Sequence, residues 1–92
     1  MRVYVPVERD HLIALRDGGS VEVEPYLSAS TDEEDELAAL ETAAEDAPAV
    51  VVAEVDDPDG PVTLVDVEAL HPSDGLAWFA TQEIQAVIDL LG

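Results

Sequence analysis

Ala49-Val50-Val51-Val52-Ala53 is an unbroken apolar run. A half-buried strand alternates apolar and polar residues, whereas a strand covered on both faces is apolar at every position. This segment therefore predicts a central strand over 49–55 and sets the fold around it. Downstream, Asp56-Asp57-Pro58-Asp59-Gly60 reads as a turn. Val62, Leu64, Val67 and Leu70 then alternate loosely with Asp66 and Glu68. That pattern predicts a return strand over 62–70, the second arm of a hairpin, kinked near Asp66.

Upstream, Pro48 stops a helix expected over 32–47. Ser30 with Glu33, or Thr31 with Glu34, has the spacing of a capping box. Leu37, Leu40, Ala44 and Ala47 recur at helical spacing and form its expected packing stripe. Further outward, Arg2-Val3-Tyr4-Val5-Pro6 predicts a strand over 2–6. Pro6 has no N–H to donate, so the strand ends there or lies at a sheet edge. A helix is expected over 8–17, stopped by Gly18-Gly19, followed by a strand over 21–24 that ends at Pro25.

The last segment has two readings. One is a single helix from Ser73 to Leu91. The other, which we prefer, is a short strand over 76–80 and a helix over 82–91 capped by Thr81. Two adjacent aromatics, Trp78 and Phe79, suit a strand partly covered on both faces; the pair reads either as core, which is the expectation for Trp78, or as an exposed docking aromatic. Together these elements predict one small α/β (α+β) domain over residues 1–92. Its sheet is mixed but mostly antiparallel, with three helices packed on it.

Composition excludes more than it identifies. The chain carries 22 Asp and Glu against three Arg and no Lys, a formal charge of −19 on 92 residues. Three arginines cannot track a phosphate backbone, so direct nucleic-acid binding is not expected. Anionic membrane surfaces are disfavoured for the same reason, and no apolar run reaches the ~18–20 residues of a membrane span. Met1-Arg2-Val3-Tyr4-Val5-Pro6 does not read as a signal peptide, and a cytoplasmic protein is expected. With no Cys there are no disulfides, thiolate nucleophiles or Cys-based zinc sites. The charge is uneven: residues 31–60 hold twelve acidic residues and no basic one. Such acidity suits salt adaptation, genome composition, a basic partner or divalent cations.

Several stretches, in order, carry a family likeness: Met1-Arg2-Val3-Tyr4-Val5-Pro6, the acidic entry Asp32 to Leu37, Val50 to Val55, Val65 to His71, and Leu76 to Ile84. The chain resembles a small, uncharacterised family of actinobacterial cytoplasmic proteins (a domain of unknown function) that open with M-R-V-Y-V-P and close with W-[YF]-x-x-Q-E-[IL]. Members usually carry an additional helix and linker between the positions of His71 and Trp78, where this chain has only Pro72 to Ala77. The resemblance implies taxon, compartment and fold, and supplies no functional residues.

Candidate sites are few. A histidine-based site must use His11 or His71. Ser20, Ser28, Ser30 and Ser73 lack a G-x-S-x-G context. Asp57-Pro58-Asp59-Gly60 with Asp66 mimics part of a calcium loop but lacks its first acid, so a tight turn is the better reading. No catalytic residue, metal ligand or cofactor is assigned. The acidic run Asp32, Glu33, Glu34, Asp35 and Glu36 is the candidate partner-binding face. Its carboxylates exceed what one helix dipole offsets, so Asp35→Asn with Glu36→Gln is expected to leave stability equal or higher. The leading expectation is a non-catalytic acidic interaction domain engaging a basic protein surface. The rival is a small enzyme or ligand-binding domain using His71 with Asp66 and Glu68; a third possibility is a nucleic-acid mimic. A pocket holding His71 and at least two acids favours the rival, and a flat acidic face favours the first.

Overall fold

The computed structural model describes residues 1–92. Its elements are β1 (Arg2–Val7), α1 (Arg9–Arg16), β2 (Ser20–Val21), α2 (Glu33–Asp46), β3 (Ala49–Glu54), β4 (Val62–Thr63), β5 (Val67–Pro72) and α3 (Ile84–Leu91). β3 lies at the centre of a three-stranded sheet ordered β1-β3-β5, and β2 pairs with β4 in a second, two-stranded sheet. Every strand pairing is antiparallel. Ala49 to Ala53 are all buried, as expected of a strand covered on both faces.

The two faces differ in depth. Val3, Val5, Val7, Val51, Ala53 and Leu70 join Leu12 and Leu15 of α1 and Val87 and Ile88 of α3 in the larger core. The opposite face presents Tyr4, Val50, Val52 and Ala69 to Ala39 and Ala43 of α2. The expected stripe on α2 is therefore shifted: Leu40 and Ala44 pack against this face half-buried, but Leu37 is 52% exposed and the fully buried contacts are Ala39 and Ala43. An aromatic ring, Tyr4, already fills the space beneath the helix, so only small side chains fit against it. The hydroxyl of Tyr4 donates to Glu36 at 3.0 Å. Tyr4→Phe is accordingly expected to cost about 1.5–3 kcal/mol, the usual worth of a hydrogen bond to a charged group. Chemical denaturation of the pair checks it; equal midpoints would mean the bond adds nothing.

Helix ends follow local chemistry. The Gly18 N–H donates to the Leu15 carbonyl and the Gly19 N–H to that of Ala14, a Schellman closure made possible by Gly18 at φ +91°. At the start of α1, His11 Nδ1 accepts the Glu8 backbone N–H at 2.9 Å. α2 does not use either expected capping box. Its N-cap is Asp32, which makes no side-chain cap bond; Ser30 Oγ instead accepts the Asp32 N–H and donates to Asp35. Ala47 is extended before Pro48, which ends the helix.

The return strand is less regular than its pattern suggests. Leu64–Asp66 forms a 3-10 turn, and Asp66 accepts the Thr63 N–H and hydroxyl at 3.0 and 3.2 Å. That turn ends β4 after two residues, so β2 finds only two partners instead of running to residue 24. Beyond it, Val52 pairs with Ala69 while Ala53 pairs with Val67. Glu68 is the extra residue of a β-bulge. The bulge breaks alternation: Val67 and Leu70 enter the larger core, and Ala69 faces α2.

Both outer edges of the main sheet are partly occupied. Tyr4 exchanges two backbone hydrogen bonds with Tyr26, and Leu70 exchanges two with Phe79. Pro6 and Pro72 sit two residues further along the same edges, where each lacks the outward N–H. β1 thus continues through Pro6 to Val7 because it is an edge strand.

The preferred reading of residues 76–80 shrinks to the single bridge at Phe79. Gly75 and Leu76 are both left-handed, at φ +83° and +50°, and hook the chain back. Thr81 caps nothing: its hydroxyl donates to the Val67 carbonyl at 2.8 Å, while Glu83 accepts the Ala80 N–H. Trp78 is 64% exposed, against the expectation of a core residue. Phe79 is the aromatic that packs on the core, so its neighbour points the other way. Trp78→Ala should therefore cost under about 1 kcal/mol, the scale of a surface change. A loss near that of a core deletion would show that the indole packs inward.

Candidate functional site

A cleft of about 460 Å³ opens on the α2 side of the sheet, between that helix and the β5 edge. Its floor is Val52 and Ala69, its helix wall carries Leu37 and Leu40, and Trp78 stands at its margin. Three glutamates reach it: Glu33 and Glu36 from α2 and Glu68 from β5. Glu33 and Glu36 share a helix face because they lie three residues apart. The bulge leaves Glu68 beside Ala69 on the same side of the sheet. His71 and Arg2 complete the polar lining.

The acidic run is thereby divided. Glu33 and Glu36 enter the cleft, Asp35 accepts the Ser30 hydroxyl at 2.6 Å, and Asp32 and Glu34 face solvent. Glu36 is not an uncompensated charge. Arg2 Nη1 lies 2.5 Å from Glu36 Oε2, and Arg2 Nε lies 3.1 Å from Glu68 Oε1. The hydrogen bond from Arg2, then that from Tyr4, lowers the Glu36 pKa from its ordinary 4.5. Burial, then the bond to Glu36, raises the Tyr4 pKa above 10.0. Arg2 is held still more firmly in its charged form by Glu36 and Glu68.

These contacts reverse the expectation for the double change. Glu36→Gln removes a carboxylate that holds β1 to α2, and should lower the unfolding midpoint, while Asp35→Asn should change it less. The pH dependence isolates the effect. A depressed carboxyl stabilises the fold above its ordinary pKa, and the gain is lost as pH falls through the folded value. The midpoint difference between wild type and Glu36→Gln should thus be constant at neutral pH, begin to shrink as pH falls below about 4.5, and be lost as pH passes through the lower value of the folded state. Tyr4 has the opposite sign: its contribution is complete below pH 10.0 and lost above. A difference that persists into acid would mean Glu36 acts by shape alone.

Of the histidine-based set, His71 and Glu68 share the cleft, but Asp66 is absent from it, held in its 3-10 turn. His71 Nδ1 lies 3.4 Å from the Leu76 carbonyl. Neither imidazole is hydrogen-bonded to a serine: Ser28 donates to Ser30, Ser30 to Asp35 and Ser73 to Ala47. The calcium-like loop uses its acids internally, Asp57 accepting the Asp59 N–H. No group of three or more His, Asp or Glu converges as a metal site would. No helix is long and apolar enough to cross a membrane.

Sequence reasoning missed Arg2, Tyr4 and Trp78 as members of the cleft. One signal was available: Arg2 is the only cation on the first strand of a chain that otherwise repels itself. In comparison with protein-family models, curated proteins and solved structures, the chain matches none of them, so the reading of its function rests on the cleft alone.

Proposed function

We propose that this is a non-catalytic, cytoplasmic binding domain whose cleft docks a basic segment of a partner protein. The observation that carries the reading is an exposed indole, Trp78, at the margin of a cleft reached by three glutamates. A cation over an indole face gains ~0.5–1 kcal/mol at an exposed site, and the carboxylates supply steering and pairing. The cleft is open, whereas a small-molecule pocket encloses roughly 70–90% of its ligand; a segment of a larger partner suits it better.

Trp78 is the only tryptophan, so its fluorescence reports on this cleft. Titration with an arginine- and lysine-rich peptide at low salt should change that signal saturably, and salt should weaken the response. By calorimetry, Trp78→Ala should bind the peptide roughly two- to fivefold less tightly while remaining folded, a loss of about 0.5–1 kcal/mol. Undiminished binding would mean that overall charge attracts the peptide without using the cleft.

One observation favours a second reading, a small-ligand site. His71 shares the cleft with three acids, the arrangement expected of this class; the exposed indole and the open shape of the cleft are what put the basic segment ahead of it. A saturable response to a small amine, with none to the basic peptide, would support it over the first.

A further inference from the structure

Arg2 sits where a partner's cation would go. Its guanidinium joins two carboxylates from different elements, Glu36 of α2 and Glu68 at the bulge of β5. Glu36 Oε2 also accepts the Tyr4 hydroxyl at 3.0 Å, so the oxygen that meets Nη1 is fixed in place. A planar fork with separated N–H donors matches this spacing; an ammonium group is a single point charge and does not. The slot's chemistry is thus already displayed by a residue of the chain itself.

Arg2 is also a partition. A second depression, of about 420 Å³, lies on its far side, bordered by Met1, Leu27 and Ser28. Arg2, Tyr4 and Glu36 line both cavities. The Arg2 side chain is 45% exposed, so solvent borders it on the side away from the two carboxylates.

Building on the proposed function, we infer that Arg2 is an internal stand-in for the ligand. An arginine of the partner's basic segment displaces it from Glu36 and Glu68. The displaced Arg2 then no longer divides the two cavities, and an extended segment crosses from Trp78 to Leu27. At the carboxylates one guanidinium replaces another, a near-even exchange. Net affinity comes from Trp78 and from the acids that Arg2 does not reach, Glu33 among them. Tethered competitors act at an effective concentration on the order of mM, so Arg2 weakens binding by occupying the slot.

The test titrates Trp78 fluorescence with a capped peptide of alternating Gly and Arg, its Gly-Lys counterpart and arginine amide. The proteins are wild type, Arg2→Met and Arg16→Met. Arg16, on α1, pairs with Asp17 and Gln85 away from the cleft, so its variant makes the same charge change elsewhere. Arg2→Met should bind the Arg peptide about tenfold more tightly than wild type, a gain of about 1.4 kcal/mol, and more tightly than Arg16→Met. The gain should be smaller for the Lys peptide. Equal gains in the two variants, or weaker binding by Arg2→Met, would overturn the inference while wild-type binding still upheld the proposed function. A response to arginine amide equal to that for the peptide would also overturn it, by removing the extended segment. No response in any protein would reject both. Should Arg2→Met not fold, Glu68→Gln in an otherwise wild-type chain decides: loss of the preference for Arg over Lys supports the slot, and an unchanged preference rejects it.

Discussion

Raising sodium chloride from about 10 mM to about 1 M is expected to lift the thermal unfolding midpoint by about 10 °C or more. The cause is size against screening. The molecule spans 31 × 28 × 20 Å, while the screening length falls from roughly 30 Å to roughly 3 Å over that range. At low salt each of 22 carboxylates feels nearly every other; at high salt only contacts remain. Three arginines cannot offset this, and Arg2 and Arg16 are already committed to Glu36, Glu68 and Asp17. For a domain this small, 10 °C corresponds to about 2 kcal/mol. The exposed Arg2 pairs weaken in salt as well, but they are two attractions against the repulsion among 22 carboxylates. A midpoint that stays flat or falls would show that close ion pairs outweigh the general repulsion.

The second large effect is expected at Leu70. This side chain is fully buried, in the strand beside β3, among residues of the larger core. Leu70→Ala should cost about 2–5 kcal/mol, the usual range for a leucine deletion that leaves a cavity. At about 0.05–0.15 kcal/mol per residue, the whole domain has roughly 5–14 kcal/mol to lose. The backbone bonds from Leu70 to Phe79 survive the change, but the packing beneath them loosens. Calorimetric or denaturant midpoints for Leu70→Ala and Trp78→Ala should therefore differ widely, with the smaller side chain the costlier to remove. Similar midpoints would mean that the cavity collapses, or that Trp78 packs inward after all.

That inversion shows where sequence reasoning stops. β3 was legible because five consecutive apolar residues suit only a doubly covered strand. Gly18-Gly19 was legible because a left-handed closure needs glycine, and Pro6 because a proline in a strand implies an edge. Trp78 was not: of two adjacent aromatics only one can face the core, and pairing register decides which. The bulge at Glu68 has no composition of its own, and it alone puts Glu68 and Ala69 on one side. Likewise the apolar spacing in α2 gave the helix and put Leu40 and Ala44 against the sheet, but not the small offset that buries Ala39 and Ala43 over Tyr4 and leaves Leu37 outside. His71 and Glu68 both line the cleft, while Asp66 lies outside it in a local turn. The Arg2–Glu36 pair joins residues far apart in sequence, and nothing local announces it.

The prolines at the two sheet margins bear on what happens when salt removes the repulsion between molecules. An acidic protein in concentrated salt loses the long-range force that keeps copies apart, and exposed strand margins then become sites for stacking into fibres. Here Pro6 and Pro72 deprive both margins of a donor, and Tyr26 and Phe79 already occupy neighbouring positions. Resistance to edge-to-edge pairing thus rests on backbone chemistry that no counterion can screen. The same conditions that steady the fold leave the molecule without a continuous margin on which a second copy can extend the sheet.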